Sequence, residues 1–189
     1  MRPSILFVTD LAYRAQGRHY GDEDVFLTSR LREEFDLALC HPRDAAALMD
    51  RFDAVVVVAR DRLAEAVDGQ SLIQPRVPFR YEVSFYFVDD AFQYALHAPD
   101  PRRRWALAPY APTGADLAFA RRFVRWNTLA HGVQRVDACR TVDGALLLVE
   151  LEDLNPYLSL DLVAAEVREG FVAAMSTSLR RFLAAGQGL

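Results

Sequence analysis

Residues 134–160 read QRVDACRTVDGALLLVELEDLNPYLSL and gather the side chains best suited to holding a cation. Asp137 stands at the start of a β-like segment, and Val142, Asp143 and Gly144 make a tight turn. The apolar strand Ala145–Val149 then leads into two carboxylates, Glu150 and Glu152, and an amide, Asn155, followed at once by Pro156. A hairpin of this kind sets oxygen ligands from two strands side by side. Mg²⁺ takes such ligands, usually one or two carboxylates together with phosphate oxygens of a nucleotide. Glu150 and Glu152 fall on one strand face, because side chains alternate with period 2. Like charges that close repel unless a cation or an arginine lies between them. A Mg–nucleotide site with Asp137, Glu150, Glu152 and Asn155 as ligands is one reading, and a solvated strand end is the plainer one. Arg135 precedes Asp137 by two, shares its face, and can pair with Glu150 or Glu152.

The elements that must carry these residues follow from periodicity. Ile5–Thr9 and Asp53–Val58 are short apolar runs rich in β-branched residues, suited to buried parallel strands. Asp36–Cys40 is a third short strand. Asp22–Phe35 reads as a helix with acidic residues at its N-terminus, where the helix dipole favours them. Pro42 opens a short helix to Met49. Residues 1–58 thus read as βαβαβ, half of a doubly wound sheet. A helical stretch at Ala59–Asp68 is followed by strands at Leu72–Arg76 and Tyr81–Val88, a turn at Asp89–Asp90, and the returning strand Ala91–His97. A helix over Asp116–His131 precedes the acidic hairpin, and a helix around Leu162–Ala185 closes the chain.

The order of these segments resembles the ATP-grasp superfamily. The R-x-D strand, the D-G turn and the E-x-E strand end match the metal- and phosphate-binding end of that fold. Upstream, SLIQPRVPFRYEVSFYF (71–87) looks like its strand–hinge–strand unit. The resemblance covers roughly Asp61 to Leu162. It implies that Gln74, Pro75, Arg76 and Val77 form the hinge against adenine, that Glu82 holds the ribose, and that Arg135 contacts a phosphate. It implies ATP and Mg²⁺ as cofactors, and a ligase that activates a small-molecule carboxylate as an acyl phosphate for attack by an amine. Tyr157 and Ser159 lie where the family often carries substrate-side residues. The expected class is α/β: a leading domain over residues 1–58, then a second-lobe-like α+β domain with an antiparallel sheet over 59–189. Between Val58 and the hinge there is no room for the family's first lobe, and no lysine to serve it. The chain therefore reads as truncated, by natural reduction or by an internal deletion near Val58–Arg62, and any catalysis as impaired. The competing class is a non-catalytic α/β remnant used for association or regulation.

Composition narrows the field further. All 22 basic residues are arginine, since the chain contains no lysine. That excludes a Walker-type phosphate loop, which needs its lysine, and Schiff-base chemistry. A net charge of −4 argues against nucleic acid as a partner. No apolar run reaches the ~18 residues that span a bilayer. Two distant cysteines, Cys40 and Cys139, suggest reduced thiols in the cytoplasm. The four histidines show no pairwise metal spacing. No G-x-S-x-G elbow occurs, and no G-x-G-x-x-G follows the first strand. Arg102, Arg103 and Arg104 form either a solvated loop or an anion clamp. A homo-oligomer stands as an open alternative to a monomer.

Overall fold

The computed structural model describes residues 2–12, 14–15, 18–19, 21–58, 77–153 and 156–186. Three parallel strands come first: β1 (Ser4–Thr9), β4 (Asp36–Cys40) and β5 (Ala54–Val58), in the order β4-β1-β5. Ile5, Leu6 and Phe7 of the central strand are fully buried, as expected of a continuous apolar run covered on both faces. A small antiparallel pair, β2 (Arg14–Ala15) and β3 (Arg18–His19), leads to helix α1 (Gly21–Leu31). Gly21 has to be glycine, because a Cβ there would meet the Leu11 carbonyl oxygen at 2.3 Å. Helix α1 ends at Leu31, four residues short of the sequence expectation. The Asp36 amide is taken by the Pro3 carbonyl at 2.9 Å, so pairing with β1 claims the chain there, and Phe35 folds into the core instead of extending the helix. Helix α2 (Pro42–Leu48) is capped by His41, whose side chain accepts from the Arg43 amide.

The second sheet is antiparallel and five-stranded: β6 (Phe79–Val88), β7 (Ala91–Ala98), β8 (Ala108–Pro109), β9 (Val133–Thr141) and β10 (Leu146–Glu152), in the order β10-β9-β6-β7-β8. Its two faces have separate fates. Val83, Phe85, Phe87, Val136 and Ala138 pack against Ala120 and Val124 of helix α3 (Gly114–Asn127). Towards the other face, Tyr86, Val88, Tyr94 and Leu96 join Phe171 and Met175 of helix α4 (Ala165–Gly186). That cluster also contains Ile5, Phe7, Leu27 and Leu31 from the parallel sheet and α1, so the two sheets share a core.

Helix α3 starts two residues earlier than its pattern suggested. Thr113 accepts from the Asp116 amide, and Asp116 accepts from the Thr113 amide, a capping box that fixes the first turn. The helix stops at Asn127 rather than His131 because Thr128 turns left-handed at φ 56°. A 3₁₀ turn, Leu160–Leu162, precedes α4. Cys40 and Cys139 are free thiols. Among the described residues, no helix is long and apolar enough to cross a membrane. The predicted helix at Ala59–Asp68 and strand at Leu72–Arg76 lie outside the described residues.

Candidate functional site

Three neighbouring strands, β10, β9 and β6, carry the polar face of the antiparallel sheet. Asp137 of β9 pairs with Ser84 of β6 on one side and Glu150 of β10 on the other. Arg135 pairs with Tyr86 and with Glu152. Glu82 stands opposite Cys139. In antiparallel sheets directly paired side chains share a face. The acidic residues of β10 therefore face the same way as Asp137 and Arg135.

A β-bulge makes this possible. The β9–β10 register shifts between Leu148 and Glu150. Leu148 pairs with Ala138, which faces α3, whereas Glu150 pairs with Asp137. Were Val149 an ordinary rung of the ladder, strict alternation would place Leu146, Leu148, Glu150 and Glu152 on one face. With Val149 bulged out of the ladder, Leu146, Leu148 and Leu151 pack on the α3 side while Glu150 and Glu152 turn to the opposite face. The two glutamates do share a face, as the alternation rule predicts, but it is not the face of the leucines before them.

This face forms one wall of a cavity of about 460 Å³, whose lining includes Glu82, Arg135, Asp137, Glu150, Tyr157 and Ser159. Ser84, Tyr86, Arg104 and Trp105 also line it. Periodicity could have found Ser84 and Tyr86, which follow Glu82 at spacings of two and four. Nothing local marks Trp105. A second cavity, of about 310 Å³ and mostly apolar, lies between β5, α1 and α4.

Electrostatics organise the wall around Arg135. Its Nε donates to both Asp137 oxygens at 3.0 and 3.1 Å, and its Nη2 to Oδ2 at 2.9 Å. Glu150 lies 3.7 Å from the same nitrogen. Burial pushes the Arg135 pKa down, but the charges of Asp137, Tyr86 and Glu150 and the hydrogen bonds to Asp137 together hold it above the ordinary value. Of the two roles open to Arg135 in the sequence, the structure shows the ion pair, though to Asp137 first. Glu82 is engaged by Arg104 Nε at 2.6 Å. Tyr86, fully buried beneath, has its hydroxyl pKa pushed up by desolvation. Beyond the end of β10, Asp153 accepts from Asn127 Nδ2 at 2.8 Å, which ties that end to α3.

Glu150 is the uncomfortable member of the group. Burial, and then the Asp137 charge, raise its pKa against the pull of Arg135. A carboxyl whose folded pKa is raised binds its proton more tightly in the folded state. Its contribution to stability is therefore full below the unfolded value, about 4.3, and is lost as pH rises through the folded value. Glu150→Gln should accordingly be more stable than wild type at pH 7, with the gap closing as pH falls to about 4. Urea melts of both proteins across that range check the sign. The difference should be small, because the side chain is about half exposed.

Among the described residues, no three His, Cys, Asp or Glu side chains are gathered closely enough to hold a metal ion by themselves. The donor set still suits Mg²⁺ bound to a phosphate, for which one or two carboxylates are enough. Asp137 and Glu150 supply two from facing strands. Val77 lies just before β6 and is 36% exposed. Gln74, Arg76 and Asn155 fall outside the described residues.

No family model and no curated protein sequence matches this chain. Solved structures do. D-cycloserine synthetase DcsG superimposes with a TM-score of 0.61 at 15% identity, over 92% of this chain and 99% of that one. D-alanine–D-alanine ligase from Bacillus anthracis, complexed with ATP, gives 0.62 at 7% identity, over 97% and 99%. The phosphoribosylaminoimidazole carboxylase ATPase subunit from Aquifex aeolicus gives 0.60 at 13%, over 92% and 76%. These neighbours are ATP-grasp ligases. At such low identity the likeness speaks to architecture. A small parallel sheet leading into a five-stranded antiparallel sheet is the arrangement shared with them, and this chain has an ATP-grasp-like fold.

Proposed function

We propose that the chain binds ATP with Mg²⁺ in the 460 Å³ cavity, as a member of the ATP-dependent carboxylate–amine ligases. The observation that carries this reading is the convergence of Glu82, Arg135, Asp137 and Glu150 on that cavity from three strands. Asp137 and Glu150, with Glu152 and Asn155 as further candidate ligands from the sequence, hold Mg²⁺, which when bound neutralises phosphate charge. Arg135 orients Asp137 through its hydrogen bonds, and can turn part of its guanidinium to a phosphate oxygen. Glu82 takes the ribose, in exchange for Arg104. Gln74, Arg76 and Val77 line the adenine side. The substrates are a small carboxylate and an amine, and neither nucleic acid nor a membrane is a partner.

Two units divide this labour, residues 1–58 and residues 59–189. Only residues 59–78 separate β5 from β6. The chain thus brings one antiparallel sheet to the nucleotide, with no lysine to cover the β- and γ-phosphates. Phosphoryl transfer depends on positioning and charge stabilisation, so turnover should be slow unless another subunit completes the site. A calorimetric titration with Mg²⁺ and ATP tests the reading. Binding that is at least about tenfold weaker in Glu150→Ala, worth about 1.4 kcal/mol, and unchanged in His131→Ala is the expected result. Wild type that takes up no nucleotide would defeat it. ADP release over a panel of acids and amines then tests ligase activity.

The second reading is a binding module without turnover. Trp105 and Val149 on the cavity lining are 51% and 49% exposed, and Leu147 on the edge strand is 45% exposed, the kind of apolar rim that a partner covers. Nucleotide binding with no ADP release under any condition favours this reading.

A further inference from the structure

The cavity has one wall that the sheet does not supply. Tyr157 and Ser159 line it from the segment that follows Pro156. That segment is irregular, and Ser159 is in the left-handed region at φ 52°, ψ 40°, where a non-glycine residue needs support. The support comes from the other end of the chain. Glu23, in the first turn of α1, accepts the Leu158 amide on one carboxylate oxygen and the Leu160 amide on the other, each at 2.9 Å. The two bonded amides bracket Ser159. Tyr94 of β7 donates its hydroxyl to the Leu158 carbonyl at 2.6 Å. Helix α1 is itself tied down: the Thr9 hydroxyl at the end of β1 donates to buried Asp24, and Gly21 passes tight against Leu11.

We propose that Glu23 is a positioning residue for the cavity, fixing the Tyr157–Ser159 wall and so coupling the parallel sheet to ligand binding. This rests on the cavity being the nucleotide site. The coupling follows from geometry. A carboxylate with both oxygens committed to backbone amides two residues apart fixes the peptide planes on either side of Ser159. The side chains of Tyr157 and Ser159 then project from a backbone held by Glu23 on its amides and by the Tyr94 hydroxyl on the Leu158 carbonyl. Hydrogen bonds from amides to a charged acceptor are the stronger kind, and no neutral side chain reproduces two of them. Glu23→Gln keeps one acceptor oxygen and turns an NH₂ against the other amide. Glu23→Asp keeps the charge but shortens the reach, so a purely electrostatic role would survive in it and a positioning role would not.

The test pairs site-resolved amide hydrogen exchange with calorimetry of Mg²⁺ and ATP on the full chain. Glu23→Gln and Glu23→Asp should each speed exchange at Leu158 or Leu160 about tenfold or more, while β1 and α3 keep wild-type protection. The Kd for Mg²⁺–ATP should rise at least about fivefold in both. Arg121→Ala, on the exposed side of α3, should change neither. If Glu23→Gln does not fold, Tyr94→Phe releases the same segment from its carbonyl side and should raise the Kd in the same direction. Unchanged exchange at both amides overturns the proposal. So does faster exchange with a wild-type Kd, which would make Glu23 a structural tie alone. Should wild type not bind Mg²⁺–ATP, the nucleotide reading falls, and Glu23 is judged by exchange alone: retained protection in Glu23→Gln refutes the clamp and lost protection upholds it.

Discussion

Phe171→Ala should destabilise the chain by about 3–5 kcal/mol, the range for emptying a fully buried aromatic site. Phe171 has no exposed surface. Its ring meets Tyr94 edge-on at 5.9 Å, and Tyr94 is stacked on Tyr86 at 4.4 Å. The same cluster reaches Ile5 and Phe7 of β1, so the cavity left behind would open between the two sheets. Neither sheet could collapse into it without moving the other, which puts the cost towards the upper end. Phe171→Leu keeps most of the volume and should recover more than half of the loss. Urea unfolding of the three proteins, followed by near- and far-UV circular dichroism, checks this. A loss under about 1 kcal/mol would mean that the sheets do not depend on a common core.

Arg135→Ala should cost about 3 kcal/mol, because it strips the partner from a largely buried carboxylate. Asp137 would then face Glu150 across the β9–β10 ladder with no cation between them. Removing the guanidinium should therefore create a demand for a divalent ion that wild type meets internally. Millimolar Mg²⁺ should restore part of the lost stability by binding only the folded form, and should shift wild type much less. Urea melts of both proteins with and without Mg²⁺ measure the difference. A variant as stable as wild type, or indifferent to Mg²⁺, would show that the three side chains do not act as a group.

The parallel strands were legible in the sequence because each is a continuous apolar run, and Asp36–Cys40 was found to the residue. Helix ends were not. The left-handed turn at Thr128 and the capture of Asp36 by Pro3 are settled by neighbours that no local pattern records. At the site, the shared face of Glu150 and Glu152 could be read from their spacing of two, but the bulge that sets it opposite the leucines before them could not. Pairing of Arg135 with Asp137 was hidden, since periodicity gives a shared face but not a distance. Glu23 was hidden for a stronger reason. It reaches Leu158 across 135 positions, and its own surroundings, GDED, say only that a helix begins.

The bulged position beside Glu150 gives the acidic wall one place where the chain can be shortened without exchanging its faces. Deleting Val149 would leave Leu148, Glu150, Leu151 and Glu152 opposite Ala138, Asp137, Val136 and Arg135 in unbroken alternation, with both glutamates still towards the cavity. Losing Leu151 instead would carry Glu152 round to the α3 side and set a charge beneath a helix. A single lost codon is thus tolerable at the valine and damaging two positions further on.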